Sequence, residues 1–318
     1  MAYHQTSPIQ RPAAASQTAQ GTAAAPQAAA PAGTHWLPAD DPVRERIRIA
    51  AQTVRSTTPL AQSVTNFVTV NLVANAQLAA GGTAAMSYLP DDVLATARLC
   101  HASYINVGTL QPYYREAFPH IAEGLRKLGH PWVLDPVAAG IGQTRTAILM
   151  AFRDNPPAVV RGNASEIITL ARMWGLDSDT DDSDATANRP QGVESVDGVD
   201  EARSAALRLA RFIGGAVAVS GETDLVTDGT RIFRLAGGSE YMTKITGAGC
   251  SLGGVVATYL AVSDPLTAAL AASALYNVAG SAADARAKGP GSFQVEFLDS
   301  LWNTTPRQIA DALIAAED

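Results

Sequence analysis

Apolar and polar residues alternate along most of this chain in blocks of two kinds. Short β-branched and apolar runs predict buried strands, and longer segments with apolar positions three or four apart predict amphipathic helices. The predicted strands are the first part of residues 59–70, then 83–88, 103–107, 132–135, 158–161, 216–220 and an edge hairpin of 224–228 with 231–235. The predicted helices are residues 44–56, 71–80, 91–100, 119–128, 165–174, 201–213, 251–261, 265–287 and 306–316. This alternation favours a three-layer α/β fold in which helices cover both faces of a mostly parallel central sheet.

Two segments depart from this pattern. Residues 1–40 are mostly Ala, Pro, Gln, Thr and Gly, and residues 178–200 are acidic with few apolar side chains. Neither segment can bury enough apolar surface to offset the chain entropy lost on ordering. We therefore expect a disordered tail over 1–40, an acidic surface loop over 178–200, and a single domain over 41–318.

The composition narrows the class of protein. Of the 318 residues 47% are hydrophobic, which is ample for a globular core. The net charge of −7 argues against nucleic acid and anionic membranes as partners. Two cysteines, Cys100 and Cys250, favour a reducing cytoplasm, and Cys100 fits a helix core. We expect no signal peptide, no membrane span and no zinc site, because the sequence lacks the pattern of each.

The candidate chemistry centres on the glycine-rich residues 243–258. Gly247 and Gly249 allow the backbone to approach a ligand closely, and a helix is predicted directly afterwards. Unpaired N–H groups and the helix dipole make such a start an anion site, most readily for phosphate. Cys250 is a candidate nucleophile or base inside it, and Lys244 is a further phosphate candidate. A glycine-rich turn that merely packs a helix on a strand fits the same pattern.

Other polar residues follow the ends of predicted strands. These positions lie in residues 64–71, 135–146, 161–166, 220–224 and 246–250. Ligands of parallel sheets bind beyond the carboxyl ends of the strands, so we expect these loops to meet at one edge. Asp135 and Glu166 supply carboxylates of the kind that Mg²⁺ takes in small number. Asp135 also suits a turn, Glu166 also suits the first turn of a helix, and Met86 also suits a core strand.

Six motifs occur in order along the chain. They are Ser63-Val64-Thr65-Asn66, Leu134-Asp135-Pro136-Val137, Arg161-Gly162-Asn163-Ala164-Ser165-Glu166, Ser220-Gly221-Glu222-Thr223-Asp224, Thr243-Lys244-Ile245-Thr246-Gly247-Ala248-Gly249-Cys250 and Lys288-Gly289-Pro290-Gly291-Ser292-Phe293. From about Arg44 onward the ordered set resembles the hydroxyethylthiazole kinases of the ribokinase-like superfamily. The resemblance implies ATP-dependent, Mg²⁺-dependent phosphorylation of 4-methyl-5-(2-hydroxyethyl)thiazole in thiamine salvage. It also implies a homotrimer with active sites between subunits.

The resemblance assigns a role to each matching residue. The implied residues are Asn66, Val68, Met86 and Gly247 for the thiazole, Arg161, Ser220 and Gly249 for the nucleotide, Asp135 and Glu166 for Mg²⁺ and its waters, and Cys250 for catalysis. Two positions depart from the family pattern: Phe67 stands where a second Asn is common, and Ser220 keeps the hydroxyl of a common Thr.

Three other functions share this fold. A pyridoxal or hydroxymethylpyrimidine kinase, and an ADP-dependent hydrate dehydratase, would each be expected to carry Asp at the position of Cys250. A non-catalytic binding protein would not need Asp135, Glu166 and Cys250 together. Asn277, in the predicted helix 265–287, faces either the nucleotide or solvent, and the sequence leaves this open.

Overall fold

The computed structural model describes residues 30–176 and 198–318. The strands are β1 (Thr34–Trp36), β2 (Leu60–Val64), β3 (Thr83–Met86), β4 (Ala102–Asn106), β5 (Trp132–Asp135), β6 (Val159–Asn163), β7 (Ala216–Ser220), β8 (Thr223–Thr227), β9 (Ile232–Ala236) and β10 (Leu313–Glu317). The α-helices are α1 (Pro42–Thr57), α2 (Val70–Ala80), α3 (Pro90–Thr96), α4 (Tyr114–Lys127), α5 (Gln143–Phe152), α6 (Ala164–Met173), α7 (Arg203–Ile213), α8 (Ala248–Leu260), α9 (Pro265–Asp284), α10 (Pro290–Asn303) and α11 (Pro306–Ala310). A 3₁₀ helix, Glu240–Lys244, precedes α8.

Within these two ranges the strands form one ten-stranded sheet in the order β1-β10-β9-β8-β7-β6-β5-β4-β2-β3. The block from β3 to β7 is parallel, and the strands from β7 to β1 pair in antiparallel fashion. The parallel block aligns the carboxyl ends of its strands at one edge, which we call the carboxyl edge. The predicted hairpin of β8 and β9 forms, but β10 and β1 lie beyond it, so its predicted edge position is wrong.

Helices cover the sheet on both sides. On one face α1, α2 and α8–α11 pack together, and on the other α3 contacts α4, α4 contacts α5, and α6 contacts α7. Each layer has its own core of fully buried side chains, such as Tyr259 and Phe293 on the first face and Phe118 and Trp174 on the second. The predicted α/β fold with helices on both faces is therefore confirmed.

Helix α9 shows that apolar content alone does not distinguish a membrane-spanning helix from a buried core helix. Its length and mean hydropathy of 1.2 would suffice to cross a membrane, contrary to the expectation from sequence, yet 83% of that apolar window is buried within the protein. It packs against α1, α8 and α10. Its apolar surface is thus used by the core of the first face.

The chain termini differ most from prediction. The predicted helix 306–316 ends at Ala310, because Leu313–Glu317 pairs with β9 and buries Ile314 and Ala315. Strand β1 pairs with β10, and Leu37 is buried, so ordered structure begins before residue 41. Helices α5 and α10 were not predicted. Residues 1–29 of the expected tail and 177–197 of the expected acidic loop lie outside the described ranges.

Candidate active site at the carboxyl edge

A connected set of polar side chains lies at the carboxyl edge. It is contributed by the ends of β4, β5, β6 and β7, the loop after β2, and the first turn of α8. The hydrogen-bonded series runs from Cys250 through Asn66, Asn106, Asp135 and Arg161 to Ser220. These loops therefore meet at one edge, as the strand pattern predicted.

Asp135, the last residue of β5, is the centre of this set and is fully buried. Its Oδ2 accepts hydrogen bonds from the Tyr104 hydroxyl (3.0 Å), Asn106 Nδ2 (3.1 Å) and Arg161 Nη1 (3.1 Å). Its Oδ1 has no hydrogen-bond partner in the described part of the chain. Burial raises the pKa of Asp135, and the positive charge of Arg161 partly offsets this effect. An unpaired buried oxygen is costly, so this atom suits a bound cation.

Arg161 on β6 connects Asp135 to the end of β7. Its side chain is 8% exposed, and its Nη2 donates to Ser220 Oγ at 3.0 Å. Burial opposes its charge, but the carboxylates of Asp135 and Glu166 outweigh burial and raise the pKa of Arg161. Its Nε has no partner within the described residues. A charged guanidinium with a free donor is suited to bind an anion such as a phosphate.

Glu166 combines a structural role with a place near Asp135. It closes a capping box at the start of α6: Glu166 N donates to Asn163 Oδ1 (2.9 Å), and Asn163 N donates to Glu166 Oε2 (2.8 Å). Its Oε1 accepts from the backbone N–H of Ala138 (3.0 Å), in the loop after β5. Burial, and then the charge of Asp135, raises the pKa of Glu166 to about 7. Like the free oxygen of Asp135, this carboxylate would be stabilised by a nearby cation.

The first turn of α8 packs directly on the polar set. Gly247, the residue before the helix, has a left-handed φ of 94°, and a β-carbon there would lie 2.7 Å from Thr69 Cγ2. A β-carbon at Gly249 would lie 2.7 Å from Arg161 Nη2. The two glycines are thus consistent with both a packing turn and an anion site. They pack the helix tightly, and they also bring its N-terminus next to Arg161.

Cys250, the third residue of α8, is partly buried and borders the same set. Asn66 Nδ2 donates to Cys250 Sγ (3.5 Å) and to Asn106 Oδ1 (3.0 Å). Burial, and then the charge of Asp135, raises the pKa of the Cys250 thiol to about 11, although Arg161 acts in the opposite direction. Cys250 is therefore a neutral thiol at physiological pH, held in place by Asn66.

The predicted thiazole contacts lie at the β2–β3 end of this edge. Val68 is 67% exposed, whereas the Asn66 amide is engaged within the protein, with Oδ1 accepting from the N–H groups of Val68 and Thr69. Met86 ends β3 and pairs in register with Ser63 of β2. Phe67 is 45% exposed and stacks on Tyr88, with ring centroids 4.9 Å apart. This end of the edge is consequently apolar and aromatic.

Sequence reasoning missed Tyr104 and Asn106. Tyr104 lies inside an apolar strand, where nothing in the pattern distinguishes its buried hydroxyl. Asn106 ends β4, directly beside Asp135 in the sheet register, so a rule that marks polar residues at strand ends would have found it. Among the other candidates, Cys100 is buried as expected and Lys244 is exposed.

The sequence model of the hydroxyethylthiazole kinase family matches residues 51–307 of this chain, a span that includes every residue of the polar set. The chain belongs to the hydroxyethylthiazole kinase family.

Individual relatives agree with this family. Hydroxyethylthiazole kinase from Bifidobacterium longum (strain DJO10A) is 62% identical over 295 residues, which cover 88% of this chain and 94% of the relative. The structure of a hydroxyethylthiazole kinase protein from Pyrococcus horikoshii OT3 is similar with a TM-score of 0.76 and 32% identity, covering 86% of this chain and 100% of that one. A ribokinase-like superfamily protein from Enterococcus faecalis V583, with a TM-score of 0.50 and 12% identity over 81% and 93% of the two chains, shares the fold. The fold is thus ribokinase-like, as the resemblance implied.

Proposed function

We propose that this chain transfers the γ-phosphoryl group of ATP to the hydroxyl of 4-methyl-5-(2-hydroxyethyl)thiazole, a step of thiamine salvage. The observation that carries the proposal is the buried Asp135–Arg161 pair next to the first turn of α8, which holds Cys250. Phosphoryl transfer depends mainly on positioning and charge neutralisation, and this arrangement offers both. Membership of the hydroxyethylthiazole kinase family supports the choice of substrate.

Asp135 and Glu166 would hold Mg²⁺ and its waters. The free Oδ1 of Asp135 and the raised pKa of Glu166 fit a divalent cation, which would offset the repulsion between two buried carboxylates. Two acids are enough, because Mg²⁺ keeps several of its waters in proteins. When bound, the ion would neutralise charge on the ATP phosphates.

Arg161, Ser220 and Gly249 would form the nucleotide side of the site. The free Nε of Arg161 and the backbone N–H groups of the first turn of α8 are the donors for phosphate oxygens. Ser220 accepts from Arg161 and so fixes the direction of its guanidinium. Asn66, Val68, Met86 and Gly247 would form the thiazole side.

Cys250 would orient the alcohol rather than remove its proton before attack. During transfer the alcohol oxygen bonds to the γ-phosphorus, the bond from the γ-phosphorus to ADP breaks, and the proton of the alcohol passes to an oxygen of the transferred phosphoryl group or to water. A thiol with a pKa of about 11 is a weak base at neutral pH, and a loose transition state allows proton loss to come late. The Asn66 amide would keep the thiol beside the alcohol oxygen.

A substrate panel tests this function. ADP release with Mg·ATP should be fast with hydroxyethylthiazole and near the background with pyridoxal or hydroxymethylpyrimidine. Release with either of those alcohols but not with the thiazole would assign another kinase, and ADP-dependent dehydration of a hydrate would assign the dehydratase.

The expected assembly is a homotrimer with active sites between subunits, located in the cytoplasm. Exposed apolar side chains at the thiazole end, including Phe67, Val68 and Leu89, support a covered surface there. Light scattering should give the mass of three chains, and a fully active monomer would contradict this assembly.

A further inference from the structure

A second buried carboxylate, Asp224, lies beside the nucleotide side of the site and has no part in the transfer described above. It is on β8 and is 9% exposed. Its Oδ1 accepts from Gly221 N (3.1 Å), and its Oδ2 accepts from Asn277 Nδ2 (3.1 Å). Burial raises the pKa of Asp224 to about 6, while the charge of Arg161 acts to lower it. Burying this charge is costly, which calls for an explanation.

One hydrogen bond of Asp224 fixes the turn after Ser220. Strand β7 ends at Ser220, whose hydroxyl accepts from Arg161 Nη2, and the chain then reverses through Gly221 into β8. Gly221 also lies close to Val199, because a β-carbon at Gly221 would collide with the side chain of Val199. The carboxylate thus holds the backbone next to Ser220, and Val199 leaves no room for a side chain at Gly221.

The other hydrogen bond reaches Asn277 on α9, which is 7% exposed. The backbone carbonyl of Asn277 accepts from Gly238 N (3.0 Å). Gly237 has a φ of 128°, and a β-carbon there would lie 3.1 Å from Asn277 Cβ. This loop leads into the 3₁₀ helix and then to the start of α8. Asn277 therefore contacts both Asp224 and the loop that precedes Gly247.

We propose that Asp224 and Asn277 are a positioning pair for the nucleotide, which fixes the Ser220 turn beside Arg161 and the Gly237–Gly238 loop before ATP binds. The pair acts through Ser220 and Arg161, because a carboxylate would repel the phosphates in direct contact. This inference rests on the proposed function, since it takes ATP as the ligand. It also answers the question that the sequence left open for Asn277, whose amide faces Asp224.

Exchanging the two side chains tests the pair. Asn277→Asp would place two carboxylates against each other and should raise KM for ATP and Kd for ADP about tenfold or more, with KM for the thiazole unchanged. Asp224→Asn with Asn277→Asp restores a donor facing an acceptor, and should return both values to within about twofold of wild type. Asn277→Leu, of similar size, gives a second variant that removes the donor without adding charge.

Kd for ADP, measured by calorimetry together with the melting temperature, separates positioning from stability. A double variant that regains nucleotide affinity supports the pair. Equal increases in both KM values, or a lower melting temperature with unchanged ADP affinity in Asn277→Asp and Asn277→Leu, would overturn it. These outcomes reject the pair alone, because wild type still binds nucleotide. If the wild-type protein bound no nucleotide, the proposed function itself would fail, so the two failures are distinguishable.

Discussion

Two buried arginine–carboxylate pairs in this molecule serve different ends. Arg161 and Asp135 lie at the carboxyl edge with side chains that are 8% and 0% exposed. Arg234 on β9 and Glu317 on β10 lie in the antiparallel part of the sheet, with exposures of 9% and 13%. Residue type and burial alone would give these pairs the same interpretation.

Their hydrogen bonds separate them. Arg234 donates through Nε to Glu317 Oε1 (2.8 Å) and through Nη2 to Asp200 Oδ1 (2.7 Å), and Glu317 Oε2 accepts from Arg203 (2.7 Å). At the carboxyl edge one oxygen of Asp135 and the Nε of Arg161 have no partner within residues 30–176 and 198–318. A satisfied pair joins strands, whereas a pair with free atoms is arranged for a ligand.

The largest difference between the two pairs is expected in kcat, when one carboxylate of each pair is replaced by its amide. Asp135→Asn removes the charge but keeps an acceptor for Tyr104, and we expect kcat to fall on the order of 10²-fold or more with the fold intact. Glu317→Gln, the control, should lower the melting temperature and leave kcat within about twofold. Steady-state kinetics and thermal melting of both variants check this, and similar kcat losses in the two would remove the distinction.

The pH dependence of kcat distinguishes two roles for Cys250 at the carboxyl edge. Because its pKa is about 11, a thiolate acting as base would make kcat rise about tenfold per pH unit below that value. A positioning thiol predicts a nearly flat kcat from about pH 7.5 to 9.5, a range above the pKa values of Asp224 and Glu166. Cys250→Ala should lower kcat roughly tenfold without changing the profile. A steep rise in wild type that Cys250→Ala abolishes would assign Cys250 as the base.

A substitution of Glu166 tests whether the ionised carboxylate at the carboxyl edge lowers the free energy of unfolding. Its folded pKa of about 7 exceeds its ordinary value of 4.5, so its contribution to stability is complete below pH 4.5 and is lost as the pH rises through 7. Glu166→Gln carries no charge and keeps only one of the two acceptor oxygens, so either Asn163 N or Ala138 N loses its acceptor, at a cost that does not depend on pH. Without ligands, the stability of the variant relative to wild type should therefore rise between pH 5 and pH 8, by up to about 3 kcal/mol. Urea unfolding of both proteins at pH 5 and at pH 8 measures this change, and a stability difference that is the same at the two pH values would contradict the account.

Deletions at the antiparallel end of the sheet should have the smallest effect on activity. Deleting residues 1–40 removes β1 and the buried Leu37, and should lower the free energy of unfolding by about 2 kcal/mol. Deleting only residues 1–33 should leave it unchanged. Neither deletion should alter kcat, because β1, the strand that the longer deletion removes, lies far along the sheet order from β5. Loss of activity in the shorter deletion would show that the tail contributes to the site.

Much of the parallel block was predictable because most of its strands are short apolar runs, and every strand there except β7 is followed by a helix. The polar residues at the ends of those strands, such as Asp135 and Ser220, could likewise be placed at one edge. The failures have local causes. Leu313–Glu317 is rich in alanine and looks helical, but its pairing with β9 decides its conformation.

Features that depend on contacts between distant segments could not be predicted. The engagement of Asn66 with Cys250 joins residues 184 positions apart. The raised pKa of Cys250 depends on its depth and on Asp135, neither of which the spacing of Gly247, Gly249 and Cys250 reveals. Motifs thus marked Asp135, Arg161 and Cys250 as candidates, while their packing decides their protonation and the atoms left free.

The central claim is that the carboxyl edge transfers phosphate to the thiazole alcohol. Phosphorus NMR of wild type with Mg·ATP and hydroxyethylthiazole measures this transfer directly, with Asp135→Asn and Glu317→Gln in parallel. The account predicts a phosphate monoester of the thiazole that appears in step with ADP in wild type and Glu317→Gln, and falls on the order of 10²-fold or more in Asp135→Asn. ADP accompanied by inorganic phosphate and no ester, or an ester formed equally fast by Asp135→Asn, would contradict it.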